Sequence, residues 1–406
     1  MIMSLEKKKT SYAYVANRRM PSEMAHSVYV AKTVEATKKL GIKTTLLIPK
    51  KCQPPDFEYK DFWEYYGIDK KLFKLVELSV PEMKNLPNLL ETIVNHIRHQ
   101  ITTWVFAVKS VTYLARKNVK IIQTNDREVI FLLKLHPSFR PTIIYDVHMD
   151  PRNAYEQLFE KLILPNVDLV AVNTEFFRRF YRKRGIKNEK IIVLPNGFDP
   201  KQFQYSTTSR MEMRKHLNIA SKMFVVGFVG RLETVGLEKG LETLIKAIKV
   251  CGKKIPMLLL TVGGPKRLAL KYKKLAKKIG LPNHQVKFID HVKPSDVGKY
   301  ISTFDVACML YPDNDHFREK MSPMKAMEYM AAKKPIIASN LPAIRLLLND
   351  QMSYLIKPND ERVVARTLEK IWTNQKVAGK RAEKAFKFVQ QFTWQKRQQR
   401  ILQQAI

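Results

Sequence analysis

The chain has 406 residues, 45% of them hydrophobic and 27% charged, and its 72 Lys and Arg against 37 Asp and Glu leave a formal net charge of +35. That length is long for one core and comfortable for two domains, and that hydrophobic content excludes a disordered chain. The charge calls for a polyanionic or phosphorylated partner: nucleic acid, anionic lipid or a phosphate-bearing ligand. Cys52, Cys251 and Cys308 are scattered and odd in number. They form neither a disulfide framework nor a C-x-x-C metal spacing, so a reducing cytoplasm is the expected setting. Residues 1–10 hold Lys7, Lys8 and Lys9 with no apolar run behind them, which does not read as a signal peptide. No stretch approaches the roughly 18 apolar residues that span a bilayer. The expectation is a soluble protein, or one that at most rests on a membrane surface.

In chain order, Ser11 to Asn17 reads as a short strand, Met24 to Leu40 as a helix closed by Gly41, and Lys43 to Pro49 as an apolar strand stopped by proline. Apolar strands follow at 120–124, 142–146, 168–173 and 190–194, and the segment 88–116 reads as one or two amphipathic helices. Continuous apolar runs alternating with helices indicate a parallel sheet covered on both faces. Pro195 to Gly197 closes this half, and 198–222 reads as a connector with its own short helix. A second alternation begins with a strand at 223–229, then a helix at 241–250 and strands at 256–262, 286–289, 305–310 and 334–339. The span 251–300 has twelve basic and two acidic residues, and its run from Lys271 to Lys278 reads as a helix with a basic outer face. The fold class is therefore α/β with two doubly wound parallel-sheet halves. The expected domains are 1–200 and 201–385, with 386–406 as a terminal basic helix.

Ligands of such sheets bind beyond the carboxyl ends of the strands, and four loops there stand out. Residues 230–240 follow a strand and precede a helix. Gly230 and Gly240 admit close backbone approach, Arg231 and Lys239 add cations, and the helix end offers free N–H groups, an arrangement suited to phosphate. The spacing is not that of a P-loop. Gly263 and Gly264 end the next strand. At 321–335, Ser322 reads as an N-cap and Pro323 as the first helical residue. Lys325 and Glu328 share one helical face there, either as a surface ion pair or as ligands for phosphate and ribose. The remaining two loops, from Arg18 through Glu23 to His26 and at Asp146-Val-His148, place histidines at strand ends.

Together these pieces resemble the family 4 retaining glycosyltransferases, which have the GT-B fold, over nearly the whole chain from Tyr14 to Trp394. The residues that carry the resemblance occur in the family's order: 20–26, 191–199, Gly230 with Arg231, Lys239 with Gly240, 311–317, and 322–332 with its Ser-Pro-x-Lys motif. The resemblance implies two Rossmann-like domains facing a cleft, with the acceptor on the first and a nucleotide sugar, UDP- or GDP-linked, on the second. Arg231 and Lys239 would neutralise the leaving diphosphate in place of a metal. Glu328 would hold the ribose hydroxyls, and Gly230, Gly263, Ser322, Met324 and Lys325 would contact the donor. His148 would face the reacting sugar, and Arg18, Glu23 and His26 would lie on the acceptor side. The C-terminal helix would cross back to the first domain with Trp394 as an anchor. No cofactor or metal is implied beyond the co-substrate. Lipid-linked or glycan acceptors and an anionic membrane surface are the implied partners, with no specific nucleic acid.

Three departures qualify the match. The family often carries two glutamates eight positions apart, but Lys320 stands eight before Glu328, with Glu319 beside it as a substitute. The gap from Arg231 to Lys239 is long and brings in Glu233 and Glu238, which would have to turn away from phosphate. No glycine pair precedes His26. A basic nucleic-acid-binding protein and a GT-B scaffold that binds donor without turnover are the alternatives.

Overall fold

A computed structural model of the chain describes residues 10–54, 57–81, 91–151, 153–252 and 254–406. The N-terminal lysines, where no signal peptide is expected, and the first residues of the 88–116 segment fall outside that set. The chain divides into two compact units, residues up to Pro195 together with Trp394–Ile406, and Asn196–Thr393. The boundaries thus fall at 195/196 and 393/394, where 200/201 and 385/386 were expected.

Unit 1 runs β1 (Ser11–Val15), α1 (Ala25–Lys39), β2 (Lys43–Lys50), α2 (Phe62–Tyr66), β3 (Lys74–Ser79), α3 (Glu91–Arg116), β4 (Ile121–Thr124), α4 (Arg127–Leu135), β5 (Thr142–Val147), α5 (Ala154–Ile163), β6 (Leu169–Val172), α6 (Glu175–Arg182) and β7 (Ile191–Val193). The seven strands form one parallel sheet in the order β3-β2-β1-β4-β5-β6-β7. Alternate residues serve its two faces, as a period of two requires. Ala13, Val15, Ile122, Tyr145 and Val170 join Phe106, Val129, Ile163 and Phe177 in one core. Tyr12, Tyr14, Gln123 and Asp146 turn the other way and are buried too.

One expectation needs correction here. Pro49 does not stop β2. It pairs with Leu78 of the edge strand β3, and the strand runs on to Lys50. Of the two readings open for the 88–116 segment, one helix or two, residues 91–116 form one, α3, whose Phe106, Ala107, Ser110, Val111 and Leu114 are buried. Its Ile97, Ile101 and Val108 are exposed.

Unit 2 begins with α7 (Thr207–His216) and continues with β8 (Phe224–Val229), β9 (Glu233–Thr234), β10 (Leu237–Glu238), α8 (Leu241–Cys251), β11 (Met257–Val262), α9 (Lys266–Lys278), β12 (Val286–Ile289), α10 (Val297–Ser302) and β13 (Val306–Met309). It closes with α11 (Met324–Ala331), β14 (Ile336–Ser339), α12 (Pro342–Arg345), β15 (Tyr354–Ile356), α13 (Glu361–Thr373) and α14 (Gln375–Val389). Six parallel strands take the order β12-β11-β8-β13-β14-β15. The apolar β8 separates two cores, Val225 and Val229 facing α11 and α14 while Phe224, Val226 and Phe228 face α8, α9 and α13. The final helix, α15 (Trp394–Ala405), packs on α1 within unit 1.

Candidate functional site

In unit 2 the strand order reverses between β8 and β13, so the crevice past their carboxyl ends is the natural ligand position. Three glycines shape it. Gly230 takes φ +107° and donates its N–H to Val262 O at 2.8 Å. A Cβ on Gly263 would lie 2.5 Å from Gly230 O, so only glycine lets these two strand ends approach. Gly240 caps α8 with φ +74°, and a Cβ there would lie 1.6 Å from Leu310 O. The start of α8 is therefore seated directly against the end of β13.

Into this crevice the loops bring cations. Lys325, in the first turn of α11, is only 8% exposed. Its Nζ sits 3.8 Å from the centre of the Phe228 ring and 5.8 Å from that of Tyr311, with no hydrogen-bond partner. A Cβ on Gly230 would come to 3.5 Å from that ammonium, so the glycine turn and the lysine border the same spot. Burial, and then the charge of Lys239, push the Lys325 ammonium well below the usual lysine range. Burial and the neighbouring Arg231 bring Lys239 down to about 8, against the pull of Glu233. Burial raises Glu328 to about 7, opposed by Lys325. An ammonium withdrawn from water without a partner costs several kcal/mol, of order 1–3 in protein settings and more for full charges. A bound anion would offset that cost. Lys325 and Glu328 are thus not a surface ion pair.

The two carboxylates of the long gap are turned aside. Residues 233–238 form a two-stranded hairpin, β9 with β10. Glu233 pairs with Arg267 of α9, and Glu238 pairs with Lys271 and accepts the Tyr272 hydroxyl at 2.5 Å. Ser322 is not the N-cap of α11. Pro323 occupies that position, and no side chain caps the helix. The Ser322 hydroxyl instead accepts the Asn196 N–H at 3.2 Å, and its carbonyl accepts Asn196 Nδ2 at 2.6 Å. Met324 opens the helix half-buried, and Glu319 sits half-buried on a single π-helical turn, His316–Lys320. Such turns are frequent at functional sites.

Unit 1 has its own reversal, between β1 and β4. At the end of β5, His148 Nε2 lies 3.3 Å from Asp146 Oδ1. The other oxygen of this wholly buried carboxylate accepts Tyr14 OH at 2.9 Å, Tyr29 OH at 2.7 Å and Gln123 Nε2 at 2.7 Å. Burial alone would raise the Asp146 pKa, but His148 and then Arg397 and Tyr29 outweigh it and hold the carboxyl well below its usual range. Arg397 of α15 donates to Tyr29 OH at 2.6 Å and to Pro195 O at 3.1 Å, and Gln398 Nε2 reaches Gln123 Oε1 at 2.9 Å. His26, from the first turn of α1, meets His148 edge-on at 4.8 Å. Both its ring nitrogens are buried without a hydrogen-bond partner. Burial, then His148 and Arg18, hold it well below the usual histidine range. Trp394 packs 5.5 Å from Tyr29.

Among the residues anticipated on this side, His26 and His148 come together, Arg18 stands exposed on the loop after β1, and Glu23 is tied to Arg19 at 2.7 Å. The sequence reading did not find Arg397, Gln123, Tyr14 and Tyr29. Asp146 was legible only as the residue two before His148 at a strand end, a spacing that puts both on one side.

A family model described as Glycosyltransferase Family 4 matches residues 26–202, and one described as Glycosyl transferases group 1 matches 209–401. The D-inositol 3-phosphate glycosyltransferase of Corynebacterium urealyticum is 25% identical over 259 residues, 61% of this chain and 58% of that protein. The chain spans about half the length of the curated relatives it matches. The crystal structure of the Anabaena protein HepE in complex with UDP-glucose has a TM-score of 0.72 at 17% identity, covering 97% of this chain and 98% of that one. Sucrose-phosphate synthase from Thermosynechococcus elongatus gives 0.72 at 18%, with 97% and 98% covered. At such identities the likeness shows the fold, two Rossmann-like parallel-sheet domains of the GT-B type.

Proposed function

We propose, from the premise that the chain is a glycosyltransferase of GT-B fold whose two halves match the family 4 and group 1 models, that it moves a hexosyl group from a nucleotide sugar, UDP- or GDP-linked, to a lipid-linked or glycan acceptor. The observation that carries this reading is the buried, unpartnered ammonium of Lys325, bordered by the Gly230 turn and sharing its electrostatic surroundings with Lys239 and, through it, Arg231. As the glycosidic bond breaks, negative charge develops on the departing diphosphate. Fixed cations in a water-poor crevice act mainly at that moment. Lys325, Lys239 and Arg231 supply three, which supports a reaction that runs without a metal. Glu328 accepts hydrogen bonds from the ribose hydroxyls. His148, fixed by Asp146, faces the sugar, and the anomeric configuration is retained. The solved structure of HepE in complex with UDP-glucose supports a nucleotide-sugar donor.

The same proposal includes a membrane surface as the place of work. Among the described residues no helix is long and apolar enough to cross a bilayer. The packed layer α3, α4 and α5 nonetheless exposes Ile97, Ile101, Val108, Leu135, Leu158 and Leu162. Trp104, Phe131 and Phe159 cluster within it at 5.4–6.1 Å. Arg98, Lys109, Lys134 and Lys161 lie on the same helices. Apolar side chains among cations suit an anionic interface, at about 1 kcal/mol per Lys or Arg near the surface.

The test is release of free nucleotide from a panel of UDP-, GDP- and ADP-sugars, with and without EDTA. The expected result is turnover of one nucleotide class, insensitive to EDTA and lost in Arg231→Ala. Turnover abolished by EDTA would overturn the metal-free reading, and no turnover with any donor would overturn the activity. For the membrane, Arg98→Glu with Lys109→Glu should release the protein from phosphatidylglycerol vesicles, and unchanged binding would sink that part.

A further inference from the structure

A second group of cations, compensated only in part by the Asp126 carboxylate, stands at the strand-order reversal of unit 1. The loops that meet there follow β1, β2 and β4, and they carry Arg18, Lys51 and Asp126. Arg18 is exposed, and among the described residues its guanidinium has no hydrogen bond or ion pair. Lys51 is half-buried, and among the described residues its Nζ finds only Asn17 Oδ1, at 3.4 Å. Asn17 is held so as to present that oxygen. Its N–H donates to Asp126 Oδ2 at 2.7 Å, and its Nδ2 donates to Thr103 Oγ1 at 3.1 Å. Asp126 is thereby occupied, and burial raises its carboxyl to about 6. Arg18 opposes the charge on Lys51 and His26 and favours that on Asp126, while Asp126 favours the charge on Lys51.

We propose that this edge of unit 1 is a subsite for the anionic group, phosphate or carboxylate, of a sugar acceptor, bound by Arg18 and Lys51 with His26 alongside. The inference rests on the transferase reading, with the acceptor on unit 1, and adds the acceptor's chemical class. The free capacity at the edge is almost entirely donor: the five N–H groups of a guanidinium and the two of an ammonium that Asn17 does not take. A neutral sugar presents hydroxyls that both donate and accept and would leave most of this unused. An acceptor-only oxyanion uses it fully, in charge-assisted bonds. It also relieves the mutual repulsion of Arg18, Lys51 and any protonated His26. Arg19, by contrast, is committed to Glu23 and lies over the Phe57 ring at 4.9 Å, so the neighbouring arginine is not a second free donor.

The experiment uses the full chain with UDP at saturation, so that the cations of unit 2 are occupied. Glucose 6-phosphate, glucuronic acid and glucose are titrated by calorimetry into wild type, Arg18→Ala, Lys51→Ala and Arg231→Ala. The wild type should bind one of the two anionic sugars at least tenfold more tightly than glucose. A preference for the first identifies a phosphate, and for the second a carboxylate. Arg18→Ala and Lys51→Ala should each lose that preference while titrating UDP as the wild type does, which shows that they are folded. Arg231→Ala should keep it. If UDP fails to bind but the preference is present and vanishes only with Arg18 or Lys51, the donor reading falls and the subsite stands. Equal binding of all three sugars, or a preference untouched in both unit 1 variants, overturns the subsite.

Discussion

The two units share an architecture but treat charge at their strand ends in opposite ways. In unit 1 the buried carboxylate of Asp146 takes three hydrogen bonds on one oxygen, with His148 3.3 Å from the other and Arg397 behind Tyr29. In unit 2 the deepest charge, Lys325, has an aromatic ring beneath it and no hydrogen-bond partner. On the proposed reading the first positions His148 and the second receives the donor's anionic group. A buried polar network with most of its groups paired stabilises and specifies, whereas a buried charge without a partner is costly.

That contrast can be broken at several points. The largest expected effect is at Asp146. Asp146→Ala strands Tyr14, Tyr29 and Gln123 as buried donors and uncouples Arg397, and should destabilise unit 1 by about 3–5 kcal/mol in urea unfolding. Asp146→Asn should cost less and lower turnover with little change in donor KM. An alanine variant of wild-type stability would show that the network is incidental. Next is Arg231→Ala, expected to weaken UDP binding by about 10–100-fold in calorimetry through loss of charge-assisted bonds. An unchanged affinity would remove Arg231 from the donor site.

A pH series sharpens the same point. Lys239 titrates near 8 in the free protein, so its cation is present below that pH and lost above it. Glu328, near 7, gains negative charge over part of the same range. Both changes weaken diphosphate binding as pH rises, so the UDP Kd should increase about tenfold between pH 7 and 9. Lys239→Arg, which stays charged, should flatten that rise, and a flat wild-type profile would contradict the assignment. The smallest effect is expected at the hairpin. Arg267 is largely exposed, so its pairing with Glu233 should be worth less than about 1 kcal/mol. Glu233→Gln should leave the melting temperature and UDP affinity nearly unchanged. A marked gain in affinity would mean that Glu233 faces the phosphate after all.

Much of this was legible in the sequence where a residue's surroundings are set by its own strand or helix. The apolar runs of β1, β4, β5, β8 and β11 announce two doubly wound sheets, and Gly230, Arg231, Lys239, Lys325 and Glu328 sit at strand or helix ends as the pattern indicates. What was missed depends on partners far along the chain. β3 reads as a polar stretch because it is an edge strand with half-exposed positions, and it exists by pairing with β2. Ser322 has the sequence of a cap, but its hydroxyl is taken by Asn196, 126 residues away. Arg397 looks like one more cation on a basic helix until α15 brings it to Tyr29, 368 residues back. Local propensity has no access to such contacts, and the buried polar network of unit 1 consists almost entirely of them.

The most direct test is a calorimetric titration of UDP, GDP and ADP into the wild type and Lys325→Met, with the melting temperature of each protein recorded before ligand is added. The account predicts that one nucleotide binds the wild type and that Lys325→Met weakens it at least tenfold. It also predicts that the ligand-free variant is more stable by about 1–2 kcal/mol, because an unpartnered buried charge has been removed. Equal nucleotide affinity in the two proteins, or no binding to the wild type, would contradict it.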